Sequence, residues 1–516
     1  MHTPWHRQLH ARLRLGKRRL LMLLLGLITA VEFFENAMFV FAASHVMGGI
    51  DASPREFALV QAAYAVGSML MIVKQQWLTR HYGYRHYLVA SLALFVLGAL
   101  GSAASGSLIA LALARFVQGV GGGALFTSSR ILVNLLFAPA DRPRALKYFM
   151  LQIFSASAFG PAVAALCVES LGWQSIFLVA IPPALLALAL CWLLLPEMPR
   201  SEAAGAYSAW PLLLFAAAVI CLQLMLSQAR YDFFAHPLRL LLMTVAGGAL
   251  LAGFLWQQYR HPDPILHVRE LNSPVYLAGL ALYFLHYFLS NFSGYLFPVF
   301  AEQALALPLR TVGWLNSAAG IVGVAVALAY VSWGRRLPSK KPLMLLGALA
   351  MAVTAWWFAA LPANATPGTL LPGLLAKGLF SVLLVLPVAG LTFRELGDQR
   401  FAHGYQGKNL MRQIAGSIAT AVAAVLMHNR QFAVQSELSV TLSPARPDVA
   451  GWVDSFARSL QQHGLTTEQA HSGALAELAR LTQQQAQLIA CQDLYRLLIA
   501  FALLTALVVM VQRKLQ

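Results

Sequence analysis

Charge is what this chain has least of. Only 11% of its 516 residues are Asp, Glu, Lys or Arg, against about a quarter in an ordinary globular domain. That excludes a conventional water-soluble fold. Acids are scarcer than bases, 20 against 37. The four cysteines, Cys167, Cys191, Cys221 and Cys491, lie in or beside apolar runs and share no metal-ligand spacing, so neither a disulfide framework nor a metal site is indicated. HExxH, a Walker-type lysine loop and GxSxG are all missing, and with them the usual ways of building a hydrolase or an NTP-driven enzyme. We therefore expect no enzyme, no metal and no cofactor; the remaining energy source is an ion gradient.

What the chain has instead is apolar length. Hydrophobic residues make up 59% of it, and the mean hydropathy is +0.65. Fourteen apolar runs of about 18 to 24 residues match a ~30 Å hydrocarbon core at 1.5 Å per residue. They cover about 20–43, 57–73, 87–104, 108–126, 146–168, 176–195, 210–226, 238–257, 274–298, 312–332, 343–361, 370–391, 413–428 and 494–512. The basic start (Arg7, Arg12, Arg14, Lys17, Arg18, Arg19) imitates a signal peptide, but the apolar run behind it continues past Glu32 to Ala43, too long for a cleaved segment. The net charge of +17 could suggest nucleic acid. However, about 26 of the basic residues fall in short loops on one side, as the positive-inside rule requires of a multi-pass protein with both termini cytoplasmic. Only Arg115 and Lys377 are expected inside spans.

The expected architecture is an all-α membrane protein of fourteen helices. Residues 1–199 form a six-helix bundle, 200–262 two additional linker helices, and 263–516 a second six-helix bundle with a long outside loop, 429–493. In that loop Val449, Trp452, Val453, Phe456 and Leu460 recur at helical spacing. Gly464 is a stop signal, and Thr466 with Gln469 a capping box. The loop is therefore read as helical, either packing on its own protein or docking a partner.

The anomaly is LIALALARFVQGVGGGALF, residues 108–126, where Arg115 sits in a glycine-rich apolar run followed by Gln118 and Gly119. An arginine within a bilayer costs about 2.5–3.5 kcal/mol even on lenient scales, so it needs a partner. Run 1 supplies Glu32, Glu35 and Asn36 on one helical face. Counting rise per residue puts Glu35 at ~22 Å and Arg115 at ~20 Å above the inner face, so they share a level. Burial and a neighbouring cation pull a carboxyl's proton affinity in opposite directions, which is what a proton-coupled carrier uses. A permanent ion pair locking two helices is the alternative. Lys377 reaches a similar depth on run 12, and parallel repeats would make run 12 the counterpart of run 4 and run 9 that of run 1. Polar residues expected to line a midplane cavity are Asn36, Gln61, Tyr64, Gln118, His286, Asn291 and Lys377; Gly160 and Pro161 favour a bend in run 5.

These residues carry a resemblance. RFVQGVGGG from Arg115 resembles the span 4 signature of the major facilitator superfamily, and AFGPAVAA (158–165) resembles the exporters' antiporter motif, with alanines at 164 and 165 in place of its usual glycines. Trp77-Leu78 with Gly83, Pro139 with Arg142, GWQSIFLVAIP (172–182), LQLML (222–226), NLMRQIAGSIAT (409–420) and HNR (428–430) extend it to fourteen-span drug/proton antiporters of EmrB type. Two departures stand out: Arg80 replaces an aspartate, and two glutamates on run 1 replace one aspartate.

The resemblance implies the major facilitator fold, two six-helix bundles plus two helices. It also implies multidrug efflux of hydrophobic or amphipathic compounds across the cell inner membrane, driven by inward proton flow. A periplasmic membrane-fusion adaptor, and through it an outer-membrane channel, would contact the outside loop. Glu35 and Glu32 would carry the proton, with Arg115 modulating them. Export or import of one metabolite such as a siderophore, or a non-transporting sensor or scaffold, are the alternatives.

Overall fold

With no water in the hydrocarbon core, each spanning segment must satisfy its own backbone, so the apolar runs become helices. A computed structural model describes residues 15–198, 209–262, 264–334, 337–442 and 446–515. Arg7, Arg12, Arg14, Arg335, Arg336 and the boundary at 199–200 lie outside the described residues. Fourteen helices are long and apolar enough to span. Spans 1–6 are Gly16–Phe41, Pro54–Tyr82, Tyr84–Ala103, Leu108–Leu136, Arg142–Leu171 and Ser175–Leu194. Spans 7 and 8 are Trp210–Ala235 and Pro237–Arg260. Spans 9–14 are Pro274–Ala304, Leu309–Trp333, Lys341–Ala359, Pro367–Thr392, Arg400–Thr441 and Thr467–Val511. No strand occurs among the described residues.

Several helices outrun their apolar stretches. Lys74 and Arg80 on span 2, Arg130 on span 4, and Lys408 and Arg412 on span 13 were expected in loops and are helical. Their own charge ends a hydropathy window, although the backbone continues and the side chains find partners.

Spans 1–6 pack together, span 1 against 5 and 6 and span 4 against 2 and 3; spans 9–14 form the second bundle, with span 13 against 9 and 14. The bundles meet where span 5 lies on span 10 and span 2 on span 13. Span 7 packs against spans 2 and 13, and span 8 packs mainly on span 7. With an even number of spans, the start of span 1 and the end of span 14 share one face, the terminal face; the end of span 13, helix Pro447–Gln462 and the start of span 14 lie on the other, the hairpin face.

Glycines let spans 2, 3 and 4 approach backbone to backbone. A side chain at Gly67 would meet the Phe116 carbonyl, one at Gly119 the Tyr64 carbonyl, and one at Gly121 the backbone of Ser91 and Phe95. Span 4 breaks at its glycine run into Leu108–Gly122 and Leu125–Leu136. In span 5 Gly160 sits against Ala37 and Phe34 of span 1. The helix stays continuous through Pro161, and the next N–H, of Ala162, donates to Ser317 Oγ of span 10 (3.1 Å).

Span 13 has 42 residues and span 14 has 45, each about twice the length needed to cross ~30 Å, so both project beyond the hairpin face. Helix Pro447–Gln462, between them in sequence, packs on span 14, burying Val453 and Ala457 on Ala470 and Ala474. The Thr466–Gln469 capping box opens span 14, and Gly464 sits before it at φ +93°. Trp452, expected on the apolar stripe, is instead 37% exposed and stacks on Phe456.

Gly121→Val should lower thermal stability by roughly 1–3 kcal/mol by forcing spans 3 and 4 apart. Gly106→Ala, in open space, should leave the unfolding temperature of purified protein unchanged. Equal melting of the two variants would contradict the close approach.

Candidate functional site

Arg115 is 1% exposed, the bulkiest of the fully buried side chains. Its Nη1 donates to Glu35 Oε1 (2.5 Å) and to Gln118 Oε1 (2.8 Å). The guanidinium lies 3.9 Å from the Phe39 ring centroid and 4.4 Å from that of Tyr64. A planar, delocalised cation suits such a box, because its edge serves the carboxylate while its faces meet rings. The cluster joins spans 1, 2 and 4 within the first bundle. Glu35 Oε2, Arg115 Nε, Gln118 Nε2 and Tyr64 OH are buried with no hydrogen-bond partner among the described residues. Hydrogen-bonding capacity is thus left over at the centre of the bundle.

Glu32 has a different partner. Its Oε1 accepts from Arg412 Nη2 of span 13 (2.8 Å), so this ion pair crosses from one bundle to the other. Arg412 also lies over the rings of Phe33 (5.0 Å) and Phe126 (5.3 Å). Four residues back, Lys408 is 2% exposed and bonds Asn409 Oδ1 (3.1 Å). Sequence reasoning missed both cations because span 13 was started at Gln413. The signal was there: KNLMRQ places a lysine and an arginine at i and i+4, one helical face, beside a polar run.

The other expected residues are scattered. Gln61 and Asn36 are half-buried. His286 is buried and stacks on Phe380 of span 12. Asn291 is exposed, its amide turned back to the Tyr287 carbonyl (2.7 Å). Lys377 Nζ donates to Asn316 Oδ1 of span 10 (3.1 Å). Lys377, expected at the depth of Arg115, is paired differently: its partner is an amide on span 10, not an acid on span 9.

Further bonds close the bundles around this centre. Gln406 Nε2 donates to the carbonyls of Ile72 (2.8 Å) and Val73 (2.7 Å), and Gln413 to Ser68 Oγ (2.7 Å). Arg80, standing where the related pattern has an acid, donates to His403 Nε2 (3.2 Å) on span 13. On the hairpin face Glu169 accepts from the Arg310 N–H (3.1 Å). Among the described residues no group of three or more His, Cys, Asp or Glu could hold a metal ion.

The chain is similar to known proteins along most of its length. Multidrug export protein EmrB of Haemophilus influenzae is 24% identical over 483 residues, 93% of this chain and 92% of that protein. The probable multidrug resistance protein EmrY of Escherichia coli is 24% identical over 491 residues, 94% and 93% of the two chains. A solved structure described under substrate recognition in proton dependent oligopeptide transporters shares the fold at TM-score 0.59 and 14% identity, covering 95% of this chain and 98% of that one. A family model described as Major Facilitator Superfamily matches residues 25–420. With fourteen spans, two bundles meeting at a buried charged centre and that match over most of its length, the chain belongs to the Major Facilitator Superfamily.

Proposed function

We propose that the protein is a proton-coupled efflux transporter, exporting hydrophobic or amphipathic small molecules across the cell inner membrane by alternating access, with both termini cytoplasmic. One observation carries the reading. Span 1 holds two buried glutamates, one paired with Arg115 in its own bundle and the other with Arg412 in the opposite bundle. Rocking the bundles apart must break the second pair, and leaving either charge unpaired in a low dielectric is costly. A proton taken up by Glu32 relieves that cost, so protonation and opening are linked. Glu35 supplies a second buried carboxyl three residues along the same helix, with Arg115 able to take up or release its charge.

The relatives' names support a broad small-molecule substrate, and positive-inside counting supports the orientation. The projecting helices on the hairpin face, with Phe432 and Val440 exposed, offer a docking surface for a periplasmic membrane-fusion adaptor leading to an outer-membrane channel.

In proteoliposomes with an imposed pH gradient, Glu35→Gln and Arg115→Ala should each reduce drug efflux to background while still inserting. Full flux in both would refute coupling through this pair. Arg412→Gln alone strands Glu32 and should destabilise the protein by roughly 3–5 kcal/mol. The double variant Glu32→Gln/Arg412→Gln should recover the melting temperature but not the gradient-driven flux. Removing helix Pro447–Gln462 should spare flux in proteoliposomes and abolish resistance in cells; resistance retained would sink the adaptor role.

A further inference from the structure

The membrane-embedded charges do not balance. Glu32 and Glu35 are taken by Arg412 and Arg115. Three other cations within the spans bond only neutral asparagine side chains through their charged ends: Lys408 to Asn409 (3.1 Å), Arg130 to Asn134 (2.8 Å) and Lys377 to Asn316 (3.1 Å). Among the described residues no carboxylate comes within ion-pair distance of any of them.

Lys408 is the most deeply placed. Its ammonium is surrounded by rings at 4.3 Å (Phe126), 5.1 Å (Tyr283), 5.3 Å (Tyr287) and 5.1 Å (Tyr405). Phe126 belongs to span 4 of the first bundle, and the other three belong to spans 9 and 13 of the second. The cage therefore sits on the plane along which the bundles separate. A lysine ammonium has three N–H donors, and Asn409 takes one. Aromatic faces attract a cation but neither neutralise it nor replace its hydrogen bonds.

Resting on the efflux reading above, we infer that the Lys408 cage is a substrate subsite selective for amphiphiles bearing one acidic group, a sulfonate or carboxylate on an aromatic or apolar body. When the bundles part, the acidic group takes the free donors of Lys408 in a charge-assisted bond. The apolar body lies among Phe126, Tyr283, Tyr287 and Tyr405, whose rings suit it. A cationic amphiphile meets Lys408, Arg412 and Arg130 together and is repelled. Asn409 holds Lys408 in place, being itself anchored across the interface by a bond to Thr127 Oγ1 (2.5 Å).

The test measures binding to the full chain in lipid nanodiscs with three fluorescent probes: anilinonaphthalene sulfonate, its neutral analogue phenylnaphthylamine, and the cation ethidium. Wild type should prefer the sulfonate. Lys408→Met should weaken the sulfonate by about tenfold, the worth of one charge-assisted contact, and leave the neutral analogue unchanged; Lys408→Arg should restore it. Should Lys408→Met prove poorly folded, Asn409→Asp replaces it, since a carboxylate beside Lys408 competes with the anion and should weaken it to a similar degree. A wild-type preference for ethidium, equal loss of both aromatic probes in Lys408→Met, or no loss of sulfonate would overturn the assignment. Gradient-driven efflux measured in parallel separates the two readings. Selective sulfonate binding without flux refutes the efflux function alone, whereas ethidium efflux with no sulfonate preference refutes the subsite alone.

Discussion

Two carboxylates buried on the first span, each held by an arginine from elsewhere, set the terms for the rest of the molecule. A charge taken from water into a low-dielectric interior is tolerated only with a close opposite charge and further hydrogen bonds. Arg115 meets that condition within one bundle, boxed by Phe39, Tyr64 and Gln118. Arg412 meets it only by reaching over from the other bundle. The first pair therefore belongs to the architecture of a bundle, and the second to the relation between bundles.

The remaining contacts follow that division. Inside the first bundle the glycines of spans 2 and 4 bring backbones together, giving a rigid unit able to position Arg115. Between bundles many of the bonds are made by amides and hydroxyls, Gln406 to the Ile72 and Val73 carbonyls, Gln413 to Ser68, and Ala162 to Ser317. Each is a modest neutral hydrogen bond, worth about 0.5–1.5 kcal/mol net, and each can exchange for water when the interface opens. A moving interface calls for such weak, replaceable links, and among the described residues Glu32–Arg412 is the most deeply buried ion pair set among them.

Span 7 packs against spans 2 and 13, alongside the seam that these links close. Its end is tied to span 2 by the buried Asp232, which pairs with Arg55 (2.8 Å), while Gln223 reaches Ser417 on span 13 (2.9 Å). The added pair of helices is thus fastened to both bundles, and span 8, more exposed, covers it on the lipid side.

Much of this was legible in the sequence. Helix number, the amphipathic hairpin with its Thr466 cap and the shared level of Glu35 and Arg115 follow from local rules: apolar length, periodicity and rise per residue. Those rules act within one segment and survive any arrangement of its neighbours. They failed where burial depends on a partner distant in the chain. Lys408 and Arg412 read as loop residues because hydropathy counts a charge without knowing what it will face, and Lys377 was matched to Arg115 by depth although its partner is an amide. The sequence by itself determined that Glu32, Glu35 and Arg115 would be buried within spans and that Glu35 and Arg115 would share a level. Which acid met which base, and whether the pair lay within a bundle or across the seam, was decided only by tertiary packing, because a charge pair is specified by position in space and not by spacing along the chain.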